Sequence, residues 1–574
     1  MSKPFNNWPN DAGVRPVLPH RPQICGVADN VMLQFDVIHE EIEPVELQVS
    51  GNIPSYVSGT LYRTGPGGYQ VQADNGTTFS ADHWFDGFCQ NHRFQIIQSD
   101  NTTRVVYNSR QSVDPLIQSI RKTGNMSGFS FGQKRDPCVS FFKKVMTMFV
   151  PEQRPPDDQI KVGVTLSVNP PGLKDVDTSK GKNKEGGHGS GIQSLWAKTD
   201  SAQLREIEPE TLEPLSLATQ AILHPDLIGN LSAAHAKSDP VTGDVFNYNL
   251  ALGKEQTYRI FRVSAATGKT DILATITDAH AAYLHSSLIT ENYFILCVWS
   301  GQYSWGGAKI LWEKNILDAI APFDPSKKAL WYVIDRKHGK GVVAKYECDP
   351  FFCFHTINAW EEPSPSDSSQ IDIVADLSMY ENLDVIKRFY YNNIKSTSPG
   401  SLDYVGDKRR SCDVFLRRWR LPGVNTTIDT PTEAREVVVV HTAEHEHSCE
   451  LPVINPRFLT KRSRYIYGVS DRGLSTFFDG LVKYDLETHT PTYWSVQGHS
   501  PGEPIFVADP EGTTEEDGVL LSVVLNGFEE KSYLLVLDAK TMKEVGRASM
   551  SCVVGFGFHG IYHPQAAEGP GTDI

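Results

Sequence analysis

Short runs of alternating apolar and polar residues, each closed by a turn, fill most of this 574-residue chain. Asp244-Val-Phe-Asn-Tyr-Asn-Leu is followed by Tyr258-Arg-Ile-Phe-Arg-Val, then by the turn Ala265-Ala-Thr-Gly-Lys-Thr and by Asp271-Ile-Leu-Ala-Thr-Ile. A period of two lays one face of each run on a core, and turns at this pitch point to antiparallel sheet. Similar runs begin at Tyr293, Leu330, Arg435, Gly480, Gly518 and Tyr533. They share no strict consensus, so the rhythm supports a propeller of repeated sheets without demonstrating one. Helical patterns are few, chiefly Val113 to Thr123 and Pro137 to Phe149, and Ser179 to Gly191 and Pro363 to Ser369 read as exposed loops.

The length alone suits three or four domains, but a propeller builds one large domain from many sheets, and no linker divides the chain. The expectation is therefore a single domain over residues 1–574. Hydrophobic residues at 40% and charged ones at 21% suffice for a sizeable core. A net charge of −15 argues against a nucleic-acid partner, which needs clustered Lys and Arg. The nine cysteines are scattered, odd in number and without short paired spacing, so neither a disulfide framework nor a zinc knuckle is expected, and a reducing compartment fits. Met1 to Pro9 has no apolar core like that of a signal peptide, and no run of about eighteen apolar residues occurs, so the expected location is cytoplasmic or peripheral to a membrane.

Four histidines, far apart, each sit in a distinctive setting: His235 in Ala-Ala-His-Ala-Lys, His285 in Tyr-Leu-His-Ser-Ser, His355 after Phe351-Phe352-Cys353-Phe354, and His559 in Gly-Phe-Gly-Phe-His-Gly. His559 lies between glycines, where the backbone is free to crowd toward a central object. Together they look like a metal site. Neutral imidazole suits iron, zinc, copper and nickel, and four imidazoles leave a divalent ion its full charge. Structural zinc prefers thiolates in a closed set, so iron with open positions is the more informative reading. His441, His445 and His447 form a denser cluster but lie in a charged run expected at an exposed strand end. His83 and His92, around Trp84-Phe85-Asp86-Gly87, read as structural, and His280 lacks the sequence that follows His285.

These histidines, with Asp82-His83-Trp84-Phe85-Asp86-Gly87 and Glu503-Pro504-Ile505-Phe506-Val507, resemble the carotenoid cleavage oxygenase family, from about Asn7 to about Tyr562. The resemblance implies an all-β, seven-bladed β-propeller with a few helices forming a cap and an entrance. It places Fe(2+) on the axis, held by His235, His285, His355 and His559. It further implies carboxylates that accept the other N–H of three imidazoles, here Asp200 for His285, Glu450 for His355 and Glu503 for His559. Asp200 stands where the family has glutamate. One methylene shorter, it requires an inward backbone, a bridging water or a looser His285.

By the same resemblance the chain is a non-haem iron dioxygenase that cleaves a conjugated C=C bond of a carotenoid or apocarotenoid with O2. Asn7 to Gly13 and Gly76-Thr77-Thr78-Phe79 look like the fungal torulene-cleaving branch. Stilbenoid-cleaving members commonly carry a lysine where Thr199 stands, which favours the carotenoid reading over a stilbenoid one; a non-oxidative isomerase and a metal-free binding scaffold are the further alternatives. Residues 136–151 place Phe141, Phe142, Met148 and Phe149 near one face beside Lys143 and Lys144. This pattern suits an interfacial helix on a membrane or lipid droplet as well as a helix packed on the core, and the resemblance favours the first.

Overall fold

The computed structural model describes residues 37, 39–99, 102–134, 156–173, 191–395, 398–404, 411–424, 433–474, 477–565 and 571. The expected helix at 137–149, with Phe141, Phe142, Met148 and Phe149, lies outside them, as do Asn7 to Gly13 and nearly all of the 179–191 loop.

The protein is all-β. Five sheets of four or five strands follow one another along the chain, beginning at Thr165, Leu231, Leu288, Phe352 and Glu450, and form blades of a propeller-like arrangement. A ten-stranded sheet combines strands from both ends of the described chain, and a small hairpin, Gln70–Gln72 with Thr78–Ser80, stands apart. The expected runs appear as strands, among them Val245–Ala251, Thr257–Val263, Thr270–Ile276, Tyr293–Val298, Gly480–Asp485 and Lys531–Asp538. The turn at Ala265 works as its residues dictate. Gly268 takes a φ of +68° and donates its N–H to Ser264, reversing the chain between two strands.

The run from Arg435 departs from expectation. It divides into Arg435–Glu436, parallel to Tyr346–Glu347 of one sheet, and Val438–Thr442, antiparallel to Phe415–Leu421 of the next. Its two halves thus serve the outer edges of two sheets, which leaves Val438, Val439 and Val440 exposed. Within the ten-stranded sheet Val45–Gly51 is likewise shared in halves: Val45 to Leu47 pair with Thr102–Gln111, and Gln48 to Gly51 with Lys543–Ser549.

Among the described residues helices are few and short. Asp114–Thr123 starts with a proline in its first turn and ends on Gly124 in the left-handed region (φ 72°), burying Leu116 and Ile120. Pro363 to Ser369 carries the chain from Phe352–Pro363 into Ile371–Tyr380, mostly exposed.

The edge strands that open several sheets meet near the centre, Leu288–Ile289 against Phe352–Pro363 and the latter against Glu450–Val453. Unpaired edges expose backbone donors and acceptors, and here side-chain hydroxyls serve them. Ser286 Oγ donates to Phe354 O (2.8 Å) and accepts from Thr356 N (3.0 Å), while Thr356 Oγ1 donates to Ser287 O (2.6 Å). Thr165 Oγ1 likewise reaches Ala234 O (2.6 Å), and Ser378 Oγ reaches Cys449 O (2.8 Å). Five of these partners, Ala234, Ser286, Phe354, Thr356 and Cys449, adjoin His235, His285, His355 or Glu450 in sequence, so the clasps that join neighbouring sheets also locate those side chains.

Candidate metal centre

Each of the four histidines comes from the inner edge of a different sheet. His235 lies between Leu231–Ser232 and Lys237–Ser238, His285 just before Leu288–Ile289, His355 within Phe352–Pro363, and His559 opens His559–Pro564. One nitrogen from each converges with the others, all within 4.8 Å of one another. His559 Nε2 is 3.0 Å from His235 Nε2 and 3.2 Å from His355 Nε2. His285, His355 and His559 are buried, and His235 is partly so.

Local irregularities aim these groups. The ladder between Phe352–Pro363 and Ile371–Tyr380 slips between Cys353 and Thr356, which puts His355 inside a bulge, a device that redirects a side chain. Glu450–Val453 slips in the same way, and Leu451 takes a φ of +47°, costly for a residue with a Cβ. That turn brings Leu451 N–H back onto Glu450 Oε2 at 2.9 Å.

Behind the imidazoles stand the three expected carboxylates. His285 Nδ1 is 2.8 and 3.0 Å from the two oxygens of Asp200, His355 Nδ1 is 2.5 Å from Glu450 Oε2, and His559 Nδ1 is 2.7 Å from Glu503 Oε1. Asp200 therefore reaches His285 directly, despite its shorter side chain. It is steadied by Ala234 N–H on Oδ1 (3.2 Å) and by Tyr283 OH on Oδ2 (2.8 Å). Tyr380 OH plays the corresponding part for Glu450 at 2.6 Å. Glu503 is held differently, by Gly560 N–H on Oε2 (2.8 Å) and by the buried Arg63 guanidinium, 3.5 Å from the same oxygen.

The electrostatics favour neutral imidazoles at His235 and His559. Burial, followed by the neighbouring rings, holds His235 and His559 well below the usual histidine range. Burial pushes Glu450 up, but His355, Tyr380 and the Leu451 N–H together outweigh it and bring it below the ordinary glutamate value. Burial pushes Glu503 up to about 7 against the pull of Arg63 and the Gly560 N–H. A divalent cation beside these pairs favours the ionised carboxylates.

The donor set fits a metal ion. When Nδ1–H of His285, His355 and His559 faces a carboxylate, the tautomer is set and Nε2 carries a lone pair. His355 Nε2 and His559 Nε2 then turn lone pairs toward one another at 3.2 Å, an arrangement that a cation between them makes favourable. Four imidazoles suit a first-row transition metal.

Residues 35–564 match the family model for RPE65, retinal pigment epithelial membrane protein. A carotenoid dioxygenase of Neurospora crassa is 40% identical over 99% of this chain and 94% of its own length. The chain belongs to the RPE65/carotenoid oxygenase family. A torulene dioxygenase of Fusarium fujikuroi is 42% identical over 99% of this chain and 95% of its own. Among solved structures, a mutant of the Synechocystis apocarotenoid oxygenase matches with a TM-score of 0.69 at 21% identity, covering 93% of this chain and 98% of that one. The cobalt-substituted form of that oxygenase matches at 0.68 with the same identity and coverage. These likenesses support the fold of the family.

The other described histidines sit elsewhere. His83 joins Ile386 O (2.8 Å) and the Phe85 N–H (3.2 Å), and His92 joins Tyr107 OH (2.9 Å). In the same family motif, Asp86 accepts the N–H groups of Phe131 and Gly132 and pairs with Lys161, fastening one loop to the next. Tyr283, Tyr380 and Arg63 were not among the residues singled out from sequence. Tyr283 had a signal, since it stands two positions before His285 and so shares its side of an extended segment. Tyr380 and Arg63 had none, being brought in by strands distant in sequence.

Proposed function

We propose that the four imidazoles hold ferrous iron and that the protein is a dioxygenase cleaving a conjugated C=C bond of a carotenoid or apocarotenoid to aldehyde products. The observation that carries this reading is the convergence of four imidazole nitrogens, three of them backed by carboxylates, in a member of this family. When bound, the iron supplies the activation of O2 that organic side chains lack. The chain's own residues do the rest. Asp200, Glu450 and Glu503 set the tautomer and direction of His285, His355 and His559. Phe354 and Phe558, each preceding a histidine, join Trp84, Phe85, Phe389 and Phe477 in an aromatic cluster with ring centroids 4.9–6.3 Å apart. Such a wall excludes water and seats one double bond of a polyene beside the centre, a task of positioning.

The same reading makes the chain one domain with seven blades. In it the ten-stranded sheet is two blades, whose outer edges the two halves of Val45–Gly51 sew together just as the halves of Arg435–Thr442 join another pair. The short helices and turns at Trp84–Asp86, Ala308–Glu313 and Asp384–Arg388 form the cap.

No helix of the described residues is long and apolar enough to cross a membrane, a statement silent on strands. Contact with a lipid surface is supported by the exposure of Trp305 (68%), Leu311 (66%), Phe129 (52%) and Trp312 (40%). Ser130 N–H bonds Lys314 O at 3.0 Å, tying Phe129 to the end of Ala308–Glu313, and the next ring, Phe131, packs on Phe85 and Tyr283. Tryptophan and phenylalanine beside lysine suit an interface. Replacing Trp305 and Trp312 with serine lowers partitioning onto liposomes; unchanged partitioning removes this part of the reading.

The decisive experiment incubates iron-loaded protein with torulene, β-carotene, an apocarotenal and a hydroxystilbene, following O2 uptake and products by mass spectrometry. Aldehydes from a carotenoid with one O2 consumed per scission are expected. Products without O2 uptake indicate an isomerase, cleavage of the stilbene alone indicates a stilbenoid enzyme, and binding without iron or turnover indicates a scaffold.

A further inference from the structure

Glycines flank both Glu503 and His559, at Gly502, Gly557 and Gly560, and one side chain lies close to all three. A Cβ at Gly502 would come within 3.2 Å of Arg63 Nη2, at Gly557 within 3.3 Å of the same atom and of Thr64 O, and at Gly560 within 2.8 Å of Arg63 Cδ and 2.7 Å of Tyr62 O. Arg63 therefore lies in a glycine-lined slot. It is 2% exposed, carried by Gly59–Pro66, whose ladder with His559–Pro564 pairs Arg63 with Gly560 and Thr64 with His559. From that slot Nη1 donates to Glu503 O at 2.7 Å and stands 3.5 Å from Glu503 Oε2. One guanidinium thus grips both the backbone and the carboxylate of the residue whose other oxygen meets His559 Nδ1 at 2.7 Å. Glu450, by contrast, takes a tyrosine hydroxyl in that place.

We propose that Arg63 is a positioning residue for His559, acting through Glu503, and that Gly502, Gly557 and Gly560 keep its slot open. The inference rests on the reading of the four imidazoles as a metal site. Arginine suits the task because its rigid, planar guanidinium fixes where Nη1 stands between the Glu503 carbonyl and carboxylate, whereas lysine offers a mobile point charge. Loss of groups that orient a metal-bound imidazole typically costs about 10- to 100-fold in metal affinity.

The test uses full-length protein loaded with Fe(II) or Co(II). It measures iron stoichiometry, the rate at which a chromogenic chelator strips Fe(II), and the visible ligand-field spectrum of the Co(II) form, in wild type, R63K, R63M, E503Q, R63M/E503Q and G557A. R63M and E503Q should each release iron on the order of 10-fold faster, with an altered cobalt spectrum and with kcat reduced while KM holds. R63K should fall between R63M and wild type. Because Arg63 acts through Glu503, the double variant should release iron within about 2-fold of E503Q alone. Multiplied single effects overturn the proposal, as does a folded R63M with unchanged release and spectrum. Should R63M fail to fold, G557A decides: it crowds Nη2 while leaving every ligand in place, and unchanged iron release in it sinks the slot. Wild-type protein that retains no iron would instead sink the underlying metal reading.

Discussion

Two groups of histidines differ in how they are assembled. His441, His445 and His447 are neighbours in sequence, and His489 joins them from an adjacent turn, its ring stacked on His441 at 4.0 Å. Their partners are ordinary: His441 meets Tyr484 OH at 2.9 Å, and His445 meets Val414 O at 3.2 Å. The central four are strangers in sequence, His355 and His559 standing 204 residues apart and His235 and His559 324, yet their nitrogens lie within 4.8 Å of one another. Nearness in sequence does not aim side chains at one point: His441 is on the strand Val438–Thr442, where successive Cβ atoms point opposite ways, and His445 and His447 are on a 3-10 turn after it. Convergence needs several edges meeting at one place, and a ring of sheets supplies them.

The contrast predicts a graded response to substitution. His355→Ala should abolish stoichiometric iron binding and lower oxygen uptake by more than about 100-fold, exceeding the range for outer partners. Full iron content in that variant would dissolve the distinction between the two groups. Glu450→Gln and Asp200→Asn, which leave all four imidazoles present, should each weaken iron retention by about 10- to 100-fold. Equilibrium competition with a chelator measures it, and values equal to wild type would mean that the carboxylates do not orient the rings.

The next effect is on stability. Burial holds His83 at about 4 and His92 at about 3, below the unfolded value near 6.5. Between those limits the unfolded chain binds more protons than the folded one. Their contribution is therefore whole above pH 6.5 and lost as pH falls toward 4 and then 3, at about 1.4 kcal/mol per pH unit for each group. Denaturant titrations of His83→Asn should show a shallower acid slope than wild type; an equal slope contradicts the assignment. Smallest of all, His441→Ala and His447→Ala, both half-buried, should leave iron content unchanged and shift stability by about 1 kcal/mol, the net worth of a hydrogen bond such as that of His441. Iron loss in either would bring this second group into the function.

The strands were legible because their signal is local. Period-two patterning and turns such as Ala265 to Thr270 depend on residues a few positions apart, and they appear where expected. Arg435 to Val440 read as one strand because nothing in its pattern says that its halves belong to different sheets. The four histidines were legible through their flanking motifs, and so were Asp200, Glu450 and Glu503. How Asp200 compensates for its missing methylene was not, since the answer lies in Tyr283 and the Ala234 N–H. Arg63 stayed hidden because its meaning comes from the register that sets it opposite Gly560.

What this sequence determined alone was its chemistry and its local conformation: alternating runs, turn glycines, imidazoles and carboxylates in recognisable settings. What tertiary structure decided was how closely the four central histidines meet and which groups steady them. Side-chain alternation and turn formation are short-range effects written in neighbouring residues. The meeting of distant edges depends on the closure of the whole sheet ring, in which Gly59–Pro66 pairs with His559–Pro564 across nearly the full length of the chain.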